Sequence, residues 1–424
     1  PGALALLAGK LLAPRATGRL VEIVKSAADL EVATDLALDA PEDGRTPTPA
    51  EPRLGFTDGE QAGRVEAFLR MVGLTYGFAP LVVMVGHGSF SQNNPHLAAY
   101  DCGACSGRHG GPNARIFATM ANRPEVRGLL AERGIAIPDD TWFLGVEHNT
   151  GDEGLEWYDL DRMPPAFAPA LAAFQADLED ARRKSAHERC RRLASAPRRP
   201  SLERALAHME GRARDFSQAR PELGHATNAC ALIGRRSVAQ GVFFDRRMFL
   251  ISYDPTQDAE GRIVEGILLA AGPVGAGISL EYYFSTVNND RFGCGTKVVH
   301  NVTGFLGVME GTASDLRTGL PRQMIEIHEA MRLLVIVEQK PEILTAIYER
   351  QPAIRELVGG AWIHLAAIEP GSGALHVFRP NVGWEAWAPN LKAPPLVGRS
   401  ADWYAGHEGP LPPALIRQPG EDAR

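Results

Sequence analysis

One glycine-rich stretch of the chain holds His87, two cysteines and a pair of asparagines directly after a short apolar run. The run, residues 81–85, is short and branched enough to predict a buried strand of a parallel sheet. His87 follows this strand, and Cys102 lies fifteen residues further on. Imidazole and thiolate are ligands that zinc prefers, and open α/β sheets bind ligands outside the carboxyl ends of their strands. The pattern therefore predicts a metal site that includes His87 and Cys102.

The same residues allow two other interpretations. His87 could hold the loop by a hydrogen bond to Asp101 or to a backbone carbonyl, and Cys102 could be a small buried residue. Cys105 follows Cys102 by three residues, so both thiols could bind a metal or form a redox pair. Spacing alone leaves these alternatives open.

Polar neighbours could support a site at this strand end. Asp101 could accept the second ring proton of His87 and so fix its tautomer. Asn93 and Asn94 could bind a small oxyanion or close a turn. His148 ends a second predicted strand and could join the site, although stabilising a turn is the commoner role for such a residue.

The elements around the glycine-rich stretch alternate between helix and strand, as α/β units do. Apolar periodicity predicts these elements: helix 58–71, strand 81–85, helix 113–121, helix 124–133 and strand 142–148. The predicted fold class is α/β, with a mostly parallel sheet that carries the metal site at the carboxyl ends of its strands. A second, α+β domain follows.

Composition shifts divide the chain into five segments. They are a helical segment and linker (1–54), half of an α/β metal-site domain (55–165), a basic helical connector (166–220), an α+β domain (221–400) and a loose tail (401–424). Within the second domain, apolar runs predict strands at 241–245, 248–253, 263–271 and 277–285, and helices at 323–337 and 341–357.

Charge and cysteine usage exclude several classes of protein. The formal net charge of −7 does not favour nucleic acid as a partner. Five cysteines, an odd number at irregular spacings, favour a reducing compartment, and so the cytoplasm. Residues 2–13 are apolar but are interrupted by Lys10 and are too short to span a bilayer, so no spanning helix is predicted. The chain begins without methionine, which indicates that it is part of a longer protein.

The connector between the two domains is strongly basic. Residues 181–220 contain twelve Arg or Lys against four Asp or Glu, in a chain that is acidic overall. A solvated helix pair is one interpretation, and a face for anionic lipid headgroups or an acidic partner is the other.

Longer strings in the chain resemble the DabA subunit family of bacterial inorganic-carbon pumps. They lie between Gly55 and about Trp387 and read GHGSFSQNNP, YDCGACSGRHGGPNAR, IPDDTWFLGVEHNT, EYYFSTVNNDRFGCGTKVVHNVTG and DLRTGLPRQM. The resemblance implies a soluble subunit with a zinc site similar to that of β-type carbonic anhydrases. In that family two cysteines, an aspartate and a histidine hold the zinc. His87 and Cys102 match the motifs of the histidine and the second cysteine.

Half of the implied zinc shell is absent from this chain. The family's first cysteine and its aspartate belong to a Cys-x-Asp-x-Arg motif, and none of the five cysteines here is followed by aspartate two residues later. The chain is therefore expected to be the C-terminal part of such a protein. Cys105, His96 or His109 could take the place of the missing ligands.

The resemblance also implies an activity and a partner. It implies hydration of CO2 to bicarbonate at zinc, coupled to the membrane subunit DabB, which resembles the antiporter-like subunits of respiratory complex I. The subunit would be peripheral on the cytoplasmic side of the plasma membrane, and Ser89, Asn93 and Asn94 could bind bicarbonate. A stand-alone carbonic anhydrase or zinc hydrolase, and a partner-binding domain with a vestigial site, are the alternatives.

Overall fold

The chain forms two compact units. The computed structural model describes residues 2–28, 34–89, 108–215, 218, 223–295, 309–310, 315–316, 319–320, 322–388 and 392–417. The N-terminal unit comprises Pro1–Ala186, Leu202–Phe216 and Arg220–Glu222, and the C-terminal unit comprises His187–Ser201, Ser217–Ala219 and Leu223–Arg424.

The N-terminal unit packs helices against a small sheet. Its helices are α1 (Gly2–Leu12), α2 (Pro14–Ala28), α3 (Asp58–Val72), α4 (Gly111–Asn122), α5 (Pro124–Glu132), the first part of α6 (Ala168–Cys190) and α7 (Leu202–Ala213). Its strands are β1 (Leu81–Gly88), β2 (Trp142–Asn149) and β3 (Gly154–Trp157). The predicted helices and strands of residues 58–148 are confirmed, with small differences at their ends.

The sheet of this unit has the order β1-β2-β3 and is mixed. β1 and β2 are parallel, in register from Leu81↔Trp142 to Gly88↔Asn149, whereas β3 returns antiparallel to β2. Helices α3, α4 and α5 pack their apolar faces into one core with the sheet; its buried members include Val65, Leu69, Phe117, Leu130 and Phe143. The two parallel strands, β1 and β2, therefore have their carboxyl ends at the same edge of the sheet.

The C-terminal unit contains the larger sheet. Its helices are α8 (Gly224–Thr227), α9 (Arg262–Val287), α10 (Asn289–Phe292), α11 (Arg322–Ile325), α12 (Pro341–Arg350), α13 (Pro352–Gly359) and α14 (Ser400–Tyr404). Its strands are β4 (Cys230–Gly234), β5 (Val242–Phe243), β6 (Met248–Ser252), β7 (Met309–Glu310), β8 (Asp315–Leu316), β9 (Leu334–Glu338), β10 (His364–Ile368), β11 (Leu375–Arg379), β12 (Gly383–Ala386), β13 (Leu396–Val397) and β14 (Ala414–Ile416).

Six of these strands form one mixed sheet, with the order β12-β11-β10-β9-β4-β6. The four strands β10, β9, β4 and β6 are parallel, and β11 and β12 are antiparallel additions at one edge. The chain therefore contains both helices and strands, as the predicted α/β class requires. The prediction of a mostly parallel sheet is not confirmed, because hairpins add antiparallel strands to the parallel ones.

Two strands predicted in the C-terminal unit are wrong. Residues 263–271 and 277–285 belong to the single helix α9. Its buried residues Val264, Ile267, Leu268 and Ala276 follow helical spacing. The β-branched and aromatic residues of this segment favour strands by propensity alone, and burial of one helical face outweighs that preference.

Two further predictions in this unit are corrected. Residues 323–337 do not form one helix, because α11 ends at Ile325 and Leu334–Glu338 is the central strand β9. The run 241–245 contributes only Val242–Phe243, which pairs with β14 in a separate three-stranded sheet. The strand at Met248–Ser252 and the helices within 341–357 are confirmed.

The tail contains a short paired strand. Ala414–Ile416 lies parallel to β13 and antiparallel to β5. Leu411 and Ala414 are buried beside Phe243 and Tyr404. The segment expected to be loose is therefore packed against β5 over part of its length.

The basic segment is helical over most of its described length, and several of its cations have carboxylate partners. Within the N-terminal unit, Arg182 and Arg183 both pair with Glu179. Within the C-terminal unit, Arg189 and Arg192 are buried. The segment therefore combines buried cations with exposed ones, since the side chains of Arg183 and Arg198 are 42% and 90% exposed.

A carboxylate on α9 ties this helix to the α12–α13 connection and predicts a pH dependence. Arg350 donates from Nε to Glu265 Oε1 at 2.9 Å, and this pairing lowers the pKa of Glu265 from 4.5 to about 2. A carboxyl group with a lowered folded-state pKa stabilises the fold above its unfolded pKa, and the effect is lost as the pH falls. Glu265→Gln should therefore lower the thermal unfolding midpoint at neutral pH and change it little near pH 2.

The matched control for this prediction is Glu385→Gln. Glu385 pairs with Arg379 at 3.2 Å, but both side chains are about half exposed. Because exposed pairs contribute little, this substitution should leave the midpoint almost unchanged at both pH values. An equal effect of the Glu265 substitution at the two pH values would contradict the assignment.

Candidate functional site

His87 lies at the carboxyl edge of the small sheet. It is the last residue but one of β1 and is in register with His148 of β2. Its Nε2 lies 3.1 Å from the Thr150 hydroxyl oxygen, and that hydroxyl in turn donates to the Gly88 carbonyl at 3.2 Å. The sheet therefore fixes the imidazole at the edge where the sequence places it.

Two glycines let helix α4 approach the strands closely. A Cβ on Gly86 would overlap backbone atoms of Gly110 and Gly111, and a Cβ on Gly145 would lie 2.8 Å from the backbone of Arg115. The Gly110 amide donates to the His87 carbonyl at 2.7 Å across this contact. Because Gly86 and Gly145 have no side chains, the start of α4 can lie next to His87.

Glu147, on strand β2, is a buried carboxylate that contacts the start of α4. Its Oε1 lies 2.7 Å from His109 Nδ1, and its Oε2 accepts from the Gly111 amide at 3.1 Å. The positive end of the helix dipole favours an anion at this position. Glu147 therefore orients the His109 ring through a charged hydrogen bond.

Tyr158 completes this cluster. Burial, followed by the neighbouring Glu147 carboxylate to which the phenol is hydrogen-bonded, raises the pKa of Tyr158 to about 12. The phenol therefore stays protonated at neutral pH and acts as a donor to Glu147.

Removing the charge of Glu147 should lower the Tyr158 pKa. Glu147→Gln removes the anion that disfavours phenolate, but burial remains, so the pKa should fall only part of the way from about 12 to the ordinary 10.0. NMR titration of ring-labelled tyrosine, assigned with Tyr158→Phe, measures this shift. Glu156→Gln is the control: it removes an exposed charge with a weaker influence, so its shift should be smaller. An unchanged Tyr158 pKa in Glu147→Gln would contradict the contact.

A second histidine–carboxylate pair lies at the same edge. His148 Nε2 is 2.7 Å from Glu153 Oε2, and Ser185 on α6 donates to Glu153 Oε1 at 2.6 Å. Glu153 is buried and has a positive φ of 64°. The His148 ring is therefore oriented by a carboxylate, in addition to lying at a strand end as predicted.

Most of the remaining predicted site residues lie outside the described part of the chain. These are Asn93, Asn94, His96, Asp101, Cys102 and Cys105. Ser89 is described and is fully buried directly after β1. Among described residues no group of three or more histidine, cysteine, aspartate or glutamate side chains is arranged to hold a metal ion. The structure thus places His87 and does not test the proposed metal shell.

The two carboxylates of this edge are absent from the sequence-based prediction. Glu147 follows the apolar run 142–146 within strand β2, and Glu153 lies in a turn. An acidic residue inside an otherwise buried strand is a detectable signal, because an ionised side chain is seldom buried without partners. The partners themselves come from distant positions and cannot be read from spacing.

One helix of the described chain, Arg262–Val287, is long and apolar enough to cross a membrane by length and composition. About 35% of its most apolar window is buried within the chain. Core helices meet the same criteria, so this helix is weak evidence for a membrane span. The prediction of no spanning helix is based on residues 2–13 and does not consider this helix, because residues 263–271 and 277–285 are predicted to be strands.

The fold and its polar edge define a mixed α/β protein with one histidine at the carboxyl end of each of two parallel strands, and a carboxylate orients one of them, His148. A family model described as probable inorganic carbon transporter subunit DabA matches residues 1–363. The chain therefore belongs to the DabA family.

Curated relatives share the same description. The probable inorganic carbon transporter subunit DabA of Methylococcus capsulatus is 64% identical over 98% of this chain and 39% of its own length. Those of Dechloromonas aromatica and Nitrosococcus oceani are 61% and 56% identical over 98% of this chain, and over 41% and 38% of their own lengths. The chain thus spans about two fifths of these relatives. No solved structure matches it significantly.

Proposed function

We propose that this chain is the part of a DabA-type inorganic-carbon transporter subunit that supplies His87 and Cys102 to a zinc site. The observation that carries the proposal is the position of His87 at the carboxyl end of β1, inside the region matched by the family. The whole protein would convert CO2 to bicarbonate in a step coupled to transport. It would act at the cytoplasmic side of the plasma membrane with the membrane subunit DabB.

The hydrogen bonds of His87 suit a metal ligand. The Thr150 hydroxyl donates to the Gly88 carbonyl, so its oxygen accepts a hydrogen bond from the N–H at His87 Nε2. A neutral His87 then carries its lone pair on Nδ1. Metal-binding histidines commonly donate their second ring N–H to an oxygen in this way. Nδ1 is therefore the atom we assign to the metal.

The other ligands lie outside the described residues or outside this chain. Cys102 would provide a thiolate, and the family's Cys-x-Asp-x-Arg motif would provide the remaining two ligands. A set of two thiolates, an imidazole and a carboxylate matches the tetrahedral preferences of zinc. This set would need both parts of the longer protein.

When zinc is bound, a site of this kind lowers the pKa of a water ligand to about 7. The chain's own residues would then handle the released proton. The histidine of either the His109–Glu147 or the His148–Glu153 pair would accept it on an imidazole nitrogen, because each ring is held at this edge by a hydrogen bond to a carboxylate. Ser89, Asn93 and Asn94 would bind bicarbonate, and Asp101 would support a ligand.

Growth of a bacterium that lacks carbonic anhydrase tests the proposed function. The full-length protein, produced together with its membrane partner, should restore growth in air, and His87→Ala should abolish it. His407→Ala is the matched control, because His407 is exposed in the C-terminal unit and should be dispensable. Undiminished growth with His87→Ala would contradict the proposal. Hydration of CO2 by the purified protein without its partner would favour a stand-alone carbonic anhydrase instead.

A further inference from the structure

The C-terminal unit contains an apolar cavity of about 290 Å³. Strands β4, β6, β9 and β10 of the six-stranded sheet form one side, and helices α9, α12 and α13 form the other. Among the described residues that line it, His225 alone carries a polar side chain. A buried water needs two to four polar partners, so an apolar cavity of this kind does not retain water.

Small residues of α9 create this space. Gly272 and Gly275 both line the cavity, one turn apart on the helix. A Cβ on Gly272 would meet only Ile354 Cδ1 at 3.6 Å and Leu357 Cδ1 at 3.9 Å, which is ordinary contact. The sheet side carries branched and aromatic side chains, whereas α9 offers little side-chain volume opposite them at Ala271, Gly272 and Gly275. The cavity therefore follows from the sequence of α9.

The cavity has a closed end and an open end. Leu344 and Val358, on α12 and α13, are 1% and 2% exposed. On the edge strand β6, Phe249 and Ile251 share the sheet face of Ala231 and Ile233 and are only half-buried. His225 lies at this open end, where its ring meets the Phe249 ring edge-on at a centroid distance of 4.9 Å. A molecule could enter beside β6 and extend toward the closed end.

We propose that this cavity binds the hydrocarbon chain of a single-chain amphiphile, with its polar head left at His225. A dry apolar cavity of roughly 150 Å³ is enough to bind benzene, so this one has room for about twice that hydrocarbon volume. One apolar end and one polar, open end match a medium-chain fatty acid. This inference is independent of the proposed zinc site.

Isothermal titration calorimetry with decanoic acid, on the full-length protein, tests the proposal. We expect saturable binding of one molecule per chain, with the negative heat-capacity change that marks burial of apolar surface. Gly272→Leu should fill the cavity and weaken binding at least tenfold. Gly277→Leu is the matched control: Gly277 lies on the same helix and is exposed, and a Cβ added there would meet no atom within 4 Å, so binding should persist.

A second filling variant, Ala271→Leu, guards against misfolding of Gly272→Leu, because Ala271 is only half-buried. Absence of decanoic acid binding to the folded wild-type protein would overturn the proposal. Undiminished binding in whichever filling variant folds would also overturn it, because the ligand would then lie elsewhere. A protein that floats with phosphatidylcholine vesicles but does not bind decanoic acid would indicate a membrane surface instead.

Discussion

Gly86→Ala is expected to destabilise the N-terminal unit by about 3 kcal/mol and to displace the start of α4. The added methyl group would overlap the backbone of Gly110 and Gly111, and backbone cannot turn aside as a flexible side chain can. Separation of α4 from β1 would also break the bond from the Gly110 amide to the His87 carbonyl. The expected result is lost stability together with lost positioning of His87 and His109.

Hydrogen exchange measured by mass spectrometry reports this loss within one unit. Peptides from β1, β2 and α4 should lose protection by about a hundredfold, because exchange from stable elements follows the free energy of opening. Gly128→Ala is the control: Gly128 is exposed on α5 with no atom near a Cβ, so alanine should leave protection equal or higher. Equal protection in wild type and Gly86→Ala would contradict a close contact between Gly86 and the backbone of Gly110 and Gly111.

The second large effect is expected at Asp245. This carboxylate is fully buried and is paired with Arg191, whose side chain is 9% exposed. It also lies 3.6 Å from Arg192 Nη1 and accepts from the Leu411 amide at 2.7 Å. Asp245→Asn keeps the shape and tolerates the positive φ of 55°, but it leaves buried guanidinium charge without its anion. The expected cost is about 3 kcal/mol.

The control for Asp245 is Asp402→Asn. Asp402 pairs with Arg399 at 3.0 Å, and both side chains are exposed, so its loss should cost less than about 0.5 kcal/mol. Hydrogen exchange of peptides from the C-terminal unit compares the two variants directly. If both variants changed protection equally, the buried pair would have no special role in stability.

Much of the N-terminal unit could be predicted from the sequence because local signals agree with the fold. Thr57 and Glu60 form a capping box that starts α3, and Gly73 ends the helix in a left-handed conformation. Residues 81–85 form a strand because a short apolar run between a proline and a glycine has few other stable outcomes. His87 at the end of this strand followed directly.

The C-terminal unit could be predicted less well because α9 combines strand-favouring residues with a helical pattern of burial. Ile263, Val264 and Tyr282 favour strands by type, yet Val264 and Tyr282 are buried on a helix. Packing against the sheet decides between helix and strand in such a segment, and the propensities of single residues carry no information about that packing.

The candidate site shows the same division. Strand ends could place His87 and His148, since each follows an apolar run. The pairing of His109 with Glu147 joins residues thirty-eight positions apart, and it depends on the register of β2 and on the approach of α4. The close approach of α4 requires Gly86 and Gly145. The role of these two glycines can be recognised only from the contact between the helix and the strands, not from the sequence.

Zinc content of the purified full-length protein tests the proposed metal site most directly. We predict about one zinc per chain in the wild type, and almost none in His87→Ala or Cys102→Ala. Cys230→Ala is the control, because burial raises the pKa of the Cys230 thiol and keeps it protonated, which makes it a poor ligand; zinc should be retained. Full zinc occupancy in His87→Ala, or no zinc in the wild type, would contradict the proposed site.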